Sequence, residues 1–143
     1  GDLRVVAERL LCLDYFLEDV CGLDLAEGPA LLYHFAHWVR RGRVVLRVML
    51  DRADPVCPSI EGIYPGAAWH EREARDFFGF TFQGAVDDQP LLLAEHMDPP
   101  PLLKAPGARM PRERLWHHGE WIGPARGSGL ADELQNACAE DPE

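Results

Sequence analysis

Proline is spread unevenly along this 143-residue chain, and that asymmetry limits what the chain can fold into. Pro99, Pro100, Pro101, Pro106, Pro111, Pro124 and Pro142 all lie after residue 97, accompanied by Gly107, Gly119, Gly123, Gly127 and Gly129. Proline lacks a backbone N–H and fixes φ, so this stretch cannot supply a central strand or a long helix. The reading is therefore a folded domain over residues 1–97 followed by an extended Pro/Gly-rich arm over residues 98–143.

Within 1–97 the hydrophobic pattern alternates between helical and strand periods. Val6, Leu10, Leu13 and Leu17 recur at helical spacing, which predicts a helix from residue 3 to about 16, stopped at Cys21-Gly22. A short strand is expected near 23–25. Two further strands, 31–39 and 44–51, flank Arg40-Arg41-Gly42-Arg43, which has the length of a tight hairpin. In the second of them Val44, Leu46, Val48 and Leu50 share one face. Ser59 stands where a helix N-cap belongs, ahead of a turn over 60–64. A second helix is expected over 66–78, with Gly79 as its stop and a short strand at 80–82. Together these elements predict an α+β fold, a two-layer domain with a small mixed β-sheet packed against two main helices.

With 14 Lys+Arg against 24 Asp+Glu, the net charge is −10. Non-specific nucleic-acid binding and adsorption to anionic lipid both need clustered cations, so this charge disfavours them and points to protein partners with basic surfaces. No apolar run approaches the roughly 20 residues that span a bilayer. The opening Gly1-Asp2-Leu3-Arg4 is not expected to act as a secretory signal. Cys12, Cys21, Cys57 and Cys138 form no C-x-x-C pair; they are read as free thiols in a reducing compartment, without zinc or an iron–sulfur cluster.

The densest charged run is Trp69-His70-Glu71-Arg72-Glu73-Ala74-Arg75-Asp76. A zinc protease would need a second histidine four residues after His70, and Ala74 stands there. Glu71/Arg75 and Arg72/Asp76 have the spacing of i,i+4 ion pairs on a helix, and a partner-facing network is the functional alternative to a solvated face. A stand-alone enzyme would instead need a pocket lined by His70 and acidic residues. His34 and His37 fall on opposite faces of a strand, so they are read as core or edge histidines, not ligands. His117-His118 lies in the arm between Trp116 and Trp121, and these two tryptophans read as interface anchors. Dinucleotide, Walker and nucleophile-elbow motifs are absent.

One stretch is far more specific than any of these. From Ala67 onward the sequence follows A-x-W-x-E-R-E-x-x-D-x-[FY]-G-[IVF]-x-F-x-G, with Ala67, Trp69, Glu71, Arg72, Glu73, Asp76, Phe78, Gly79, Phe82 and Gly84 in register and a serine-led turn at Ser59 ahead of it. This resembles the 30 kDa (C) subunit family of respiratory NADH:quinone oxidoreductase, complex I. The resemblance covers roughly residues 2–104 and includes 13–24, the stretch that the family carries ahead of its first strand. The family's usual Gly-His-Pro continuation and its Pro-Leu-Arg-Lys-Asp ending are replaced here by Gly84-Ala85-Val86 and Pro101-Leu102-Leu103-Lys104-Ala105.

The resemblance implies a peripheral-arm subunit with no catalytic, cofactor or metal site of its own. The complex around it would use NADH, FMN, iron–sulfur clusters and quinone, at the cytoplasmic face of the cell membrane. Its partners would be the large quinone-site subunit and iron–sulfur subunits, with no nucleic acid. On that footing Trp69, Glu71, Arg72, Glu73, Asp76, Phe78 and Gly79 become subunit-interface candidates. Membrane-bound, formate-hydrogenlyase-type hydrogenases contain a similar domain, which leaves such a complex as an alternative. A free-standing interaction module is the other.

Overall fold

A computed structural model of the chain describes residues 3–87, 89–94, 97–114 and 133–134. Trp116, His117, His118, Trp121 and Cys138 lie outside the described residues.

Helix α1 (Leu3–Cys12) buries Leu3, Ala7 and Leu10, the i, i+4, i+7 stripe of an amphipathic helix. It stops earlier than the leucine spacing predicts. The amide of Leu13 bonds back to Arg9 at 3.1 Å, and Asp14 takes a left-handed φ of 60°. That turn releases Tyr15-Phe16-Leu17 to pair as a strand. What the sequence reads as the rest of α1 and a helix stop at Gly22 is strand β1 (Tyr15–Asp24), with Gly22 paired to Leu31 in mid-strand.

Strands β1, β2 (Pro29–His37) and β3 (Arg43–Met49) form an antiparallel sheet in that order. The register of β1 against β2 slips between Leu17 and Asp19, leaving Glu18 as an extra residue. Such a bulge exchanges the two faces of a strand. Tyr15 faces the core before it and Val20 after it, so Asp19 and Cys21 share the outer face with His34. On β2 the core takes Leu31, Tyr33 and Phe35, each fully buried. Val44, Leu46 and Val48 of β3 pack on the same cluster, as their alternation predicts. The β2–β3 connection is longer than the expected tight hairpin. His37 Nδ1 accepts the amides of Val39 and Arg40, both at 3.0 Å, which turns Trp38 and Val39 out of the sheet into the loop.

Strand β4 (Val56–Pro58) pairs in parallel with β5 (Thr81–Gln83), and helix α2 (Ala67–Phe78) makes the crossover between them. The strands therefore comprise an antiparallel three and a separate parallel two, and the fold class is α+β. Gly79 ends α2 with φ 73° in the left-handed region, its N–H bonding to the Arg75 carbonyl at 2.8 Å. Tyr64 ties the layers together by donating from its hydroxyl to the Tyr15 carbonyl at 2.9 Å.

Described residues beyond 97 touch this core at separate points, though most of them are exposed. The Leu102 amide bonds to the Phe77 carbonyl at 3.0 Å, and Met110 bridges to Leu25. Cys12 is disulfide-bonded, a correction to the expectation of four free thiols, whereas Cys21 and Cys57 are free. Disulfide formation depends on tertiary approach, which cysteine spacing alone does not encode. Among the described residues, no helix is long and apolar enough to cross a membrane.

Candidate functional site

The charged run identified in the sequence occupies α2, and the structure divides it sharply between inside and outside. Ala67, Glu71 and Ala74 form the buried stripe of this helix. Glu71 is only 1% exposed, and its Oε1 accepts the Ile60 amide at 2.9 Å. Its Oε2 has no hydrogen-bond partner. Burial pushes the Glu71 carboxyl above its ordinary value, against the bond from the Ile60 amide, which favours the charged form. The Ser59 oxygen accepts the amide of Glu61 at 3.1 Å, which closes the serine-led turn, and the Ile60–Glu71 bond locks that turn to α2. This is the N-cap geometry that the sequence predicts for Ser59, ahead of the single turn expected over 60–64.

Asp76 organises the chain that follows β5. Its Oδ2 accepts the amides of Leu91, Leu92 and Leu93 at 2.9, 2.8 and 3.1 Å. Burial alone would raise its pKa; the three amides outweigh it and hold the carboxyl below the usual range. Arg72 clamps the same loop from one turn earlier, donating to the carbonyls of Gln89 and Pro90 at 3.0 Å each and pairing with Asp87 at 3.0 Å. The two i,i+4 pairs expected within α2 are therefore not the ones formed. Glu71 turns into the core and Arg72 and Asp76 reach the 87–93 loop, because backbone groups there offer more bonds than a neighbouring side chain on the helix.

Phe78 stacks on Phe80 with ring centroids 5.3 Å apart. Its ring also fills the space a side chain at position 22 would need. Gly79 packs close to Pro100. Of the seven candidate interface residues, Trp69 and Glu73 point outward; Trp69 is 64% exposed, with the Arg72 guanidinium 5.9 Å from its ring centroid. A cleft of about 450 Å³ lies between α2 and the β5 region, lined by Glu71, Arg75, Phe80 and Asp87 among others. His70 is not part of it. Instead His70 Nδ1 lies 3.4 Å from Asp19 Oδ1, on the side of the sheet that carries His34.

A second charged centre escaped the sequence reading. Asp24, whose side chain is fully buried, receives Arg52 at 2.5 Å on Oδ1, and the Lys104 amide at 2.9 Å and Arg109 at 3.1 Å on Oδ2. Burial opposes the charge, but these donors overcome it and hold the carboxyl below its usual range. It fastens residues 104–110 to the end of β1. No local motif signals it, since its partners lie 28 to 85 residues away.

The family model described as respiratory-chain NADH dehydrogenase, 30 Kd subunit, matches residues 2–109, the span that holds α1 through the Asp24 fastening. The chain belongs to this family. The C subunit of NADH-quinone oxidoreductase from Roseiflexus sp. (strain RS-1) is 39% identical over 92 residues, covering 62% of this chain and 53% of that protein. The C 1 subunit of NADH-quinone oxidoreductase from Rhizobium meliloti (strain 1021) is 35% identical over 120 residues, covering 73% and 59%. The chain thus spans little more than half the length of these family members. A chain of the archaeal membrane-bound sulfane sulfur reductase, a respiratory membrane complex, shares the fold with a TM-score of 0.52 at 23% identity, over 66% of this chain and 58% of that one.

Proposed function

We propose that this chain is a non-catalytic peripheral-arm subunit of an NADH:quinone oxidoreductase, packing the redox subunits that carry electrons from NADH to quinone. Family membership supports this reading. The observation that carries it is the division of α2: one set of signature residues fixes the helix within the fold, while Trp69 and Glu73 stand outward on the rigid element so formed. A mostly exposed tryptophan beside an arginine, on a helix held from behind, is the kind of anchor that dominates protein–protein interfaces.

In this reading the partners are the large quinone-site subunit and neighbouring iron–sulfur subunits, and the chain sits at the cytoplasmic face of the membrane by virtue of the complex. NADH, FMN, iron–sulfur clusters and quinone are held by those partners. Glu71, Arg72, Asp76, Phe78 and Gly79 shape the interface from within, and the arm from residue 98 onward contributes Trp116 and Trp121 as further anchors. Replacing both Trp69→Ala and Glu73→Lys should abolish incorporation into the complex while leaving the circular dichroism of the full chain unchanged. Normal incorporation of the folded double variant contradicts the proposed interface.

A further inference from the structure

Three donor groups of different chemistry meet on the outer face of the sheet, away from the cleft beside α2. A carboxylate oxygen of Asp19, the Cys21 thiol and a ring nitrogen of His34 lie within 4.8 Å of one another. The fold assembles them in two steps. The bulge at Glu18 turns Asp19 and Cys21 to the outer face of β1, and the register then places Asp19 directly opposite His34 on β2. Cys21 Sγ is 2.7 Å from Asp19 Oδ2, and His34 Nδ1 is 3.8 Å from the same oxygen. His70 approaches from α2, 3.4 Å from the other Asp19 oxygen.

We propose that Asp19, Cys21, His34 and His70 form a binding site for a zinc-type divalent cation, which pins α2 to the β1–β2 pair. The donor set is one sulfur, two imidazoles and a carboxylate, the mixture that borderline-soft Zn²⁺ selects over Mg²⁺ or Ca²⁺. Tetrahedral zinc with bonds of about 2.0 to 2.3 Å holds its ligands roughly 3.5 Å apart; Asp19, Cys21 and His34 already lie within 4.8 Å of one another, and His70, next to Asp19, rotates in as the fourth ligand. The site is partly open to solvent, which gives the ion a path in. The Asp19 carboxylate beside the Cys21 sulfur, 2.7 Å away, gives an entering cation a negative charge to meet, and binding displaces the thiol proton to solvent. Bound metal would join the β1–β2 hairpin to α2, about thirty residues further along the chain, and fix the helix that presents Trp69. This assignment stands on Asp19, Cys21, His34 and His70 alone and does not depend on which complex the chain enters. It also departs from the sequence expectation of no metal, because no pair of these ligands has a recognisable spacing along the chain.

The test titrates the full, metal-stripped chain with Co²⁺, read by absorbance, and with Zn²⁺, read by calorimetry. The expected result is one ion per chain, a thiolate-to-cobalt charge-transfer band, and a melting temperature that rises with zinc concentration. Cys21→Ser and His34→Gln should each weaken zinc binding by at least about tenfold, with unchanged circular dichroism. Cys57→Ser, which alters the buried free thiol, should keep the cobalt band. Absence of the band overturns the proposal. So does a band that survives Cys21→Ser, or equal zinc affinity in the wild type and His34→Gln.

Discussion

Glu71 Oε1 accepts the backbone amide of Ile60 at 2.9 Å, across the eleven-residue interval between the serine-led turn and the middle of α2. The bond is made inside the core by a carboxylate whose second oxygen has no partner. A residue that reads in sequence as part of a charged surface thus fixes the shape of the signature region from within.

This arrangement sets a pH dependence with a definite sign. Burial raises the Glu71 carboxyl in the folded state, so folding favours the protonated form. Its contribution is fully present below the ordinary carboxylate range and is lost as pH rises through the raised folded value. Glu71→Gln removes that titration and keeps an acceptor for Ile60. The melting temperature of the wild type should therefore fall relative to Glu71→Gln as pH rises across that window; a pH-independent difference contradicts the assignment. Glu71→Ala leaves the Ile60 amide buried and unbonded and should cost about 1–3 kcal/mol in urea unfolding.

Gly22 is required by a close approach, not by a turn. A Cβ at this position would lie 2.6 Å from two ring carbons of Phe78. Gly22→Ala should destabilise the chain by about 1–3 kcal/mol through overpacking, and Phe78→Leu in the same chain should recover part of the loss. Wild-type stability of Gly22→Ala in denaturant unfolding would contradict this packing.

Asp24 predicts the opposite pH sign from Glu71. Its carboxyl is held below the usual range, so its stabilisation is complete above the ordinary aspartate pKa and is lost as pH falls through the lowered folded value. Asp24→Asn leaves Arg52 and Arg109 without their buried counter-charge, at a cost of about 3 kcal/mol near neutral pH. The difference between wild type and variant should narrow on acidification. Limited trypsin digestion should also cut the variant sooner after Arg109 and Arg112; equal cleavage rates contradict the fastening role.

The triple acceptor at Asp76 makes a local prediction. Asp76→Ala frees the amides of Leu91, Leu92 and Leu93, which should then exchange hydrogen faster while those of β2 keep their protection. Unchanged exchange at all three positions would rule out the clamp.

What the sequence reveals is uneven, for physical reasons. Helix α2, its glycine stop, the inward face of β3 and the family resemblance all rest on local periodicity or an ungapped motif, and the family match bears out that resemblance. The span of β1 was hidden because Leu13 and Leu17 mimic helical spacing, while the left-handed turn at Asp14, a residue type that tolerates that conformation but does not demand it, has no local signature. Long-range chemistry was hidden too. Nothing near Asp24 announces Arg52 or Arg109, and a single bulged residue decides that Asp19 and Cys21 share a face with His34. Within α2, helical spacing suggested Glu71/Arg75 and Arg72/Asp76, whereas backbone groups of distant loops supplied the partners.

Native electrophoresis of detergent-solubilised membranes from cells carrying a tagged full chain tests the proposed place in an NADH:quinone oxidoreductase most directly. The tag should migrate with the large quinone-site subunit in a band that oxidises NADH, and the Trp69→Ala, Glu73→Lys double variant should leave that band. A wild-type tag that migrates alone, or with hydrogenase subunits in a band inert to NADH, would contradict the account.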